Sequence, residues 1–347
     1  MIGPESPSIP PWSASKIVQG NFAGTFRDSL EGKQPMKTLR WGIWMAAGLL
    51  VVSVPAIAQN ENEGQGRAVV TVLARHEADT PASVPQRDLK VEVNGKKSTV
   101  TGWKSLQGTV EMVVLMDSSS RSSLGTQLEE VARFIQRLPP NVRVAVAYMQ
   151  NGQAHLTGPL SDDRTTALHS IHLPGGGPGS SGSPYFCLSD LAQHWPSADT
   201  SARREVVMVT DGVDNFERRF DPGDPYVDAA IKDSVRAGLI VYALYWHGRG
   251  PGENADTQTD SGQNLLLMVT DATGGKSYWE GFGNPVSFEP SFTDLNRRLA
   301  NQYELSFLTP LNGKSDVASM KLHFAAPGEK ADAPHEVMVF REGVAQQ

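Results

Sequence analysis

The chain has 347 residues, 39% of them hydrophobic and 20% charged, which suits a globular protein with room for one large domain and a smaller one. Its formal net charge of −7 comes without any basic block or stripe, and this argues against nucleic acid as the main partner. One cysteine, Cys187, rules out an intrachain disulfide, and a small buried thiol is the expected role.

Residues 1–35 are rich in Pro, Ser and Gly and show no apolar period; they read as a disordered extension or a misassigned start. Residues 36–58 have the three parts of a secretory signal in order: Lys37 and Arg40, an apolar core over 42–54, and Ala56-Ile57-Ala58 before Gln59. Cleavage after Ala58 would release an exported chain into the periplasm or medium. The alternative is an uncleaved anchor, the only membrane contact expected. The remaining chain divides into an N-terminal β segment (59–107), an α/β region (108–308) and a C-terminal β segment (309–347).

In the β segment, 60–66 reads as a polar linker, 68–74 as a strand and 88–93 as a half-buried strand, with a hairpin turn at Asn94-Gly95. From Gly108 strands and helices alternate. Strands are expected at 110–116, 142–149, 205–210, 239–246 and 277–279. Helices are expected at 124–138, 162–171, 185–195, 226–238, 263–273 and 291–302, with 173–184 a Gly/Ser/Pro loop and 247–261 a polar loop. This alternation predicts an α/β fold with a doubly wound, Rossmann-like, mostly parallel sheet. The tail strands 303–308, 319–324 and 336–340 are expected to join the N-terminal strands in a small flanking antiparallel β module.

Two stretches carry the chemistry. Val113–Arg121 (VVLMDSSSR) and Val206–Asn215 (VVMVTDGVDN) are apolar runs that end in loops of acids and hydroxyls. In parallel sheets the ligand crevice lies at the carboxyl ends of the strands, so Asp117 and Asp211 are expected to share one crevice. Two carboxylates beside serines suit a hard divalent cation.

These stretches resemble the metal-site loops of von Willebrand factor type A (VWA) domains: Asp-x-Ser-x-Ser after the first strand, and an aspartate in a Thr-Asp-Gly setting after the fourth. The flanks DLKVEVNGKKSTVTGW and NQYELSFLTP resemble those of secreted VWFA-related acidobacterial proteins. The resemblance implies a metal-ion-dependent adhesion site, usually holding magnesium, whose coordination is completed by a Glu or Asp carboxylate of a protein partner. Carried over, the metal residues are Asp117, Ser119 and Asp211. Ser183 stands in for the family's middle-loop threonine, with Ser180 and Ser181 as rivals. At position 121 the family has a hydroxyl, whereas this chain has Arg121, which removes one ligand and places a cation beside the site.

No catalytic residues are expected. Gly275-Lys276-Ser277 resembles the end of a phosphate loop but runs from helix to strand, the reverse of that motif. Gly179–Ser183 lacks the last glycine of a nucleophile elbow. Asp221, Asp224 and Asp228 read as a solvated acidic cluster, without calcium-loop spacing. The expected function is therefore an exported binding or adhesion module. The alternatives are an envelope scaffold whose domain binds no ligand, or an exported hydrolase.

Overall fold

The computed structural model describes residues 63–341 apart from 77–78, 121–123, 178, 217–220, 222, 248–254, 284 and 312–315. The signal segment, the stretch before it and Arg121 thus lie outside the described residues. No helix among the described residues is long and apolar enough to cross a membrane.

Two sheets form the fold. The first contains β1 (Glu63–Ala74), β2 (Leu89–Val93), β3 (Lys96–Ser105), β10 (Gln302–Pro310), β11 (Asp316–Phe324), β12 (Glu329–Asp332) and β13 (Glu336–Arg341), in the order β10-β3-β2-β11-β13-β1-β12. β1 also pairs with β10 from Glu63↔Pro310 to Thr71↔Gln302, which closes six of these strands into an antiparallel barrel. Closure removes sheet edges that would otherwise be open to other chains. The barrel has its own core, with Val70, Val72, Val91, Leu305, Phe307 and Val339 buried.

The barrel corrects the expected fold class. A doubly wound parallel sheet with a small flanking module does not describe a molecule in which the flanks close a cylinder and the second sheet is mixed. The reason lies in residues 63–66, which read as a polar linker but form the start of β1. The alternation there is carried by glycine: Gly64 and Gly66 are buried, and a Cβ on Gly66 would sit 2.3 Å from the Phe307 ring. Periodicity arguments look for apolar side chains and miss a strand whose inward positions must be empty.

The second sheet has the order β6-β5-β4-β7-β8-β9. Its strands are β4 (Val110–Asp117), β5 (Val142–Gln150), β6 (Gln153–Leu156), β7 (Arg203–Thr210), β8 (Leu239–His247) and β9 (Lys276–Phe282). β4, β5, β7, β8 and β9 pair in parallel, and β6 is antiparallel to β5. Every residue of β4 is buried, so both of its faces are covered. Met112 and Val114 pack with Phe134 of α1 (Leu128–Arg137), Ala167 of α2 (Arg164–His169) and Phe292 of α6 (Glu289–Leu299). On the other face Val113 and Leu115 pack with Leu188 of α3 (Pro184–Gln193), Ile231 of α4 (Pro225–Arg236) and Leu266 of α5 (Ala255–Thr273). Each of these side chains larger than alanine contributes roughly 1.5–3 kcal/mol on burial. α5 begins inside what read as a polar loop.

Polar groups link the barrel to the second sheet. Arg298 is 1% exposed and reaches Asp294 on its own helix at 2.9 Å and Asp332 of the barrel at 2.7 Å. Gln302 of β10 donates to Glu205 of β7 at 2.9 Å.

Candidate cation site at the strand ends

β4 and β7 are adjacent and parallel, so their carboxyl ends bring Asp117 and Asp211 to one place. Asp117 is fully buried and ties the loops together. Its Oδ1 accepts the Ser119 N–H at 2.7 Å, which folds Ser118–Ser120 into a 3-10 turn. Its Oδ2 accepts the Thr210 hydroxyl at 2.6 Å. Asp211 is half-buried, and its Oδ1 accepts the Val213 N–H at 3.0 Å. Between them Gly212 adopts a φ of +73°, and a Cβ there would lie 2.6 Å from Leu266, so only glycine fits against α5.

The third loop comes from residues 173–183. It is anchored by backbone bonds from Asn151 N–H to the Ser180 carbonyl and from Gly152 N–H to the Ser181 carbonyl, at 2.9 and 2.8 Å. The Ser181 Oγ lies 2.5 Å from the Ser119 Oγ, and the Ser181 N–H donates to that same oxygen at 3.0 Å. Ser183 has other partners. It is the N-cap of α3, accepting the Tyr185 N–H at 3.3 Å, and its hydroxyl donates to Asp214 at 2.8 Å.

The structure thus brings Asp117, Ser119 and Asp211 together, and places Ser181, rather than Ser183, beside Ser119. A local signal for this was present in the sequence. A serine immediately before a proline that opens a helix is an N-cap signature, which commits Ser183 and leaves Ser181 free. Thr210 and Asp214 were not singled out; Thr210 bonds to Asp117, and Asp214 holds the Ser183 loop.

The site is electrostatically tense. Burial raises the Asp117 carboxyl above its usual range. Burial, reinforced by the nearby Asp117 charge, pushes Asp211 up to about 7. Neither acid forms an ion pair among the described residues. Two close, desolvated carboxylates are stable only if they hold a proton or gain a cation. The hydroxyls of Ser118, Ser120 and Ser180, buried in the same loops, have no partner among the described residues. The donor set is all oxygen, as magnesium or calcium requires. These oxygens are the candidate ligands, and no group of three or more His, Cys, Asp or Glu side chains placed to hold a metal occurs among the described residues.

Other motifs have structural explanations. Lys276 pairs with Asp294 at 2.8 Å, and Gly275 is required because a Cβ would lie 1.8 Å from the Val241 carbonyl. Asp224 caps α4, and Asp228 pairs with Lys232 at 2.7 Å. Cys187 is buried, and burial pushes its thiol up to about 12.

No family model matches the sequence, and no curated protein matches it. Among solved structures the chain is similar to the conserved hypothetical protein BatB from Bacteroides thetaiotaomicron, at 15% identity over 55% of this chain and 97% of that one, with a TM-score of 0.38. It is also similar to proximal thread matrix protein 1 from the mussel byssus, described with a zinc-occupied MIDAS motif: 14% identity, 58% of this chain, 47% of that one, TM-score 0.40. A third is the pilus adhesin SpaC from Lactobacillus rhamnosus GG in its open conformation: 9% identity, 78% of this chain, 49% of that one, TM-score 0.43. With TM-scores below 0.5, these similarities leave the site to be argued from its own geometry.

Proposed function

We propose that the chain is an exported, VWA-like binding protein whose strand-end face takes a divalent cation, magnesium by preference, and through it a carboxylate of a protein partner. The observation that carries this reading is the approach of the Ser119 and Ser181 hydroxyls beside the fully buried Asp117 and the half-buried Asp211, neither of which has an ion-pair partner among the described residues. Ser119 and Ser181 hold the cation through their hydroxyls. Asp117 and Asp211 supply the negative charge, directly or through water. Ser183 supports them by fixing the loop to Asp214. The bound cation would supply an open coordination position for an external carboxylate. Arg121, in place of a hydroxyl, weakens this site.

Calorimetry with magnesium tests the reading. Ser181→Ala and Asp211→Ala are expected to lose at least tenfold in affinity, and Arg121→Ser to gain. No magnesium binding in wild type and Arg121→Ser alike would refute the cation site. A pull-down from envelope extract tests the partner: capture is expected to need magnesium and to fail with Asp117→Ala and Asp211→Ala. Capture indifferent to both substitutions would support a scaffold role instead.

A further inference from the structure

The opposite end of the second sheet has a cleft that the strand-end site does not use. β7 runs from Arg203 to Thr210, so at about 3.3 Å per residue the cleft lies roughly 23 Å from the cation site. Its volume is about 700 Å³, and it separates the first residues of β7 and β8 from barrel strands β1 and β13. That volume falls in the range of roughly 300–1,000 Å³ typical of ligand pockets.

The cleft opens where the barrel's seam parts. β1 pairs with β13 over Gly64–Gly66 and with β12 over Thr71–Ala74. Between these ladders Arg67–Val70 have no partner strand on that side among the described residues. β12 ends at Asp332 and β13 starts at Glu336, and the chain between them leaves the seam, with the His335 N–H donating to the Asp271 carbonyl at 3.0 Å. An unpaired strand edge is a template for an added strand. Here the edge faces a cleft with apolar walls that include Val69, Ile240 and Met338.

Charge specifies the occupant further. Four arginines line the cleft against two glutamates. Among the described residues, two of the four have only uncharged hydrogen-bond partners. Arg204 donates to the Ala237 and Ser197 carbonyls at 3.2 and 3.3 Å and lies 5.7 Å from the Trp195 ring. Arg203 donates to the Leu299 carbonyl at 3.4 Å and to the Gln302 side chain, while its buried Nε has no hydrogen-bond partner among the described residues. Burial lowers the Arg203 pKa, with only the through-space attraction of Glu205 and Tyr242 opposing it. A half-buried guanidinium whose hydrogen bonds go only to uncharged groups favours an incoming anion, which it can grip with two N–H groups.

We propose that this cleft is a second binding site, which takes an extended peptide whose backbone adds along Arg67–Val69 and whose carboxylate meets Arg203 and Arg204. The unpaired edge selects a polypeptide over a fatty acid, which has no backbone groups to offer it. The site works without the cation at the strand ends.

The probe is a fluorescein-labelled Val-Thr-Val-Thr-Val-Asp with a free C-terminal carboxylate, followed by fluorescence polarisation with the purified chain. Saturable binding is expected, unchanged by EDTA. It is expected to weaken at least tenfold in Arg204→Gln. It should also weaken at least tenfold for a neutral peptide ending in Asn-amide. Thr200 is exposed and lines the cleft, so Thr200→Trp is expected to block binding without altering the melting temperature. The proposal is overturned by no saturable binding, by equal binding of the neutral peptide, by undiminished binding to a folded Thr200→Trp, by loss of binding in EDTA, or by dodecanoate binding in place of the peptide.

Discussion

Glu205 gives a stability prediction with a definite sign. It is 0% exposed on β7, facing the barrel junction. Its Oε1 accepts from Gln302 at 2.9 Å. Burial raises its pKa from 4.5 to about 7, against the opposing pull of Arg203 and of hydrogen bonds from Gln302 and Tyr242. The folded chain therefore holds this proton up to about pH 7, whereas the unfolded chain releases it near 4.5. A carboxyl raised in the folded state contributes stability below its unfolded pKa and loses it as the pH rises through the folded pKa. A rise of about 2.5 units at 1.36 kcal/mol per unit amounts to roughly 3 kcal/mol, lost between about pH 4.5 and 7. Glu205→Gln keeps the shape and the acceptor for Gln302 but cannot ionise. The assay is urea unfolding of wild type and Glu205→Gln at pH 5 and pH 8 in EDTA. Asp117 and Asp211 titrate in the same direction, but they are present in both proteins and cancel in the difference. Wild type is expected to lose about 3 kcal/mol more than the variant across that interval. Parallel losses in the two proteins would refute the reasoning.

Arg298→Met removes the buried cation that joins α6 to the barrel. Breaking a buried pair costs roughly 3–5 kcal/mol, and the lower end applies here because Asp294 keeps Lys276 and Arg297. Thermal unfolding reads this, and an unchanged melting temperature would contradict it. Ser183→Ala removes the α3 cap and leaves Asp214 without that donor, a loss of about 1–2 kcal/mol. It should reduce stability while affecting magnesium affinity less than Ser181→Ala; the reverse ranking would assign the cation to Ser183. Gly66→Ala drives a methyl into the Phe307 ring, and overpacking of this kind costs about 1–3 kcal/mol. Denaturant unfolding should show it, and a neutral result would mean that β1 does not enter the barrel at this register.

Part of this protein is written locally. The apolar runs Val113–Met116 and Val206–Thr210 read as buried strands because every position in them is hydrophobic or small, and a strand covered on both faces favours that composition. The carboxylates and serines that follow are legible for the same reason, since a break from apolar to acidic residues marks where the chain leaves the core. The middle loop was partly legible. Three serines in five residues look alike until the proline after Ser183 is given its capping meaning, and only the bond from Ser181 to Ser119 shows which hydroxyl faces the site.

The barrel was not legible, because closure depends on pairing residues more than 200 positions apart, such as Ala68 with Leu305, and no local pattern encodes that partner. Glu205 illustrates the same limit: in sequence it is one acid at the start of an expected strand, and only the arrival of β10 buries it against Gln302. The parted seam at Arg67–Val70 exists only because β12 and β13 take up β1 at two separate places. Local composition determined which residues are buried and where acids and hydroxyls gather. Long-range strand pairing decided which of those groups meet, because loop closure brings together partners that the chain's local order keeps far apart.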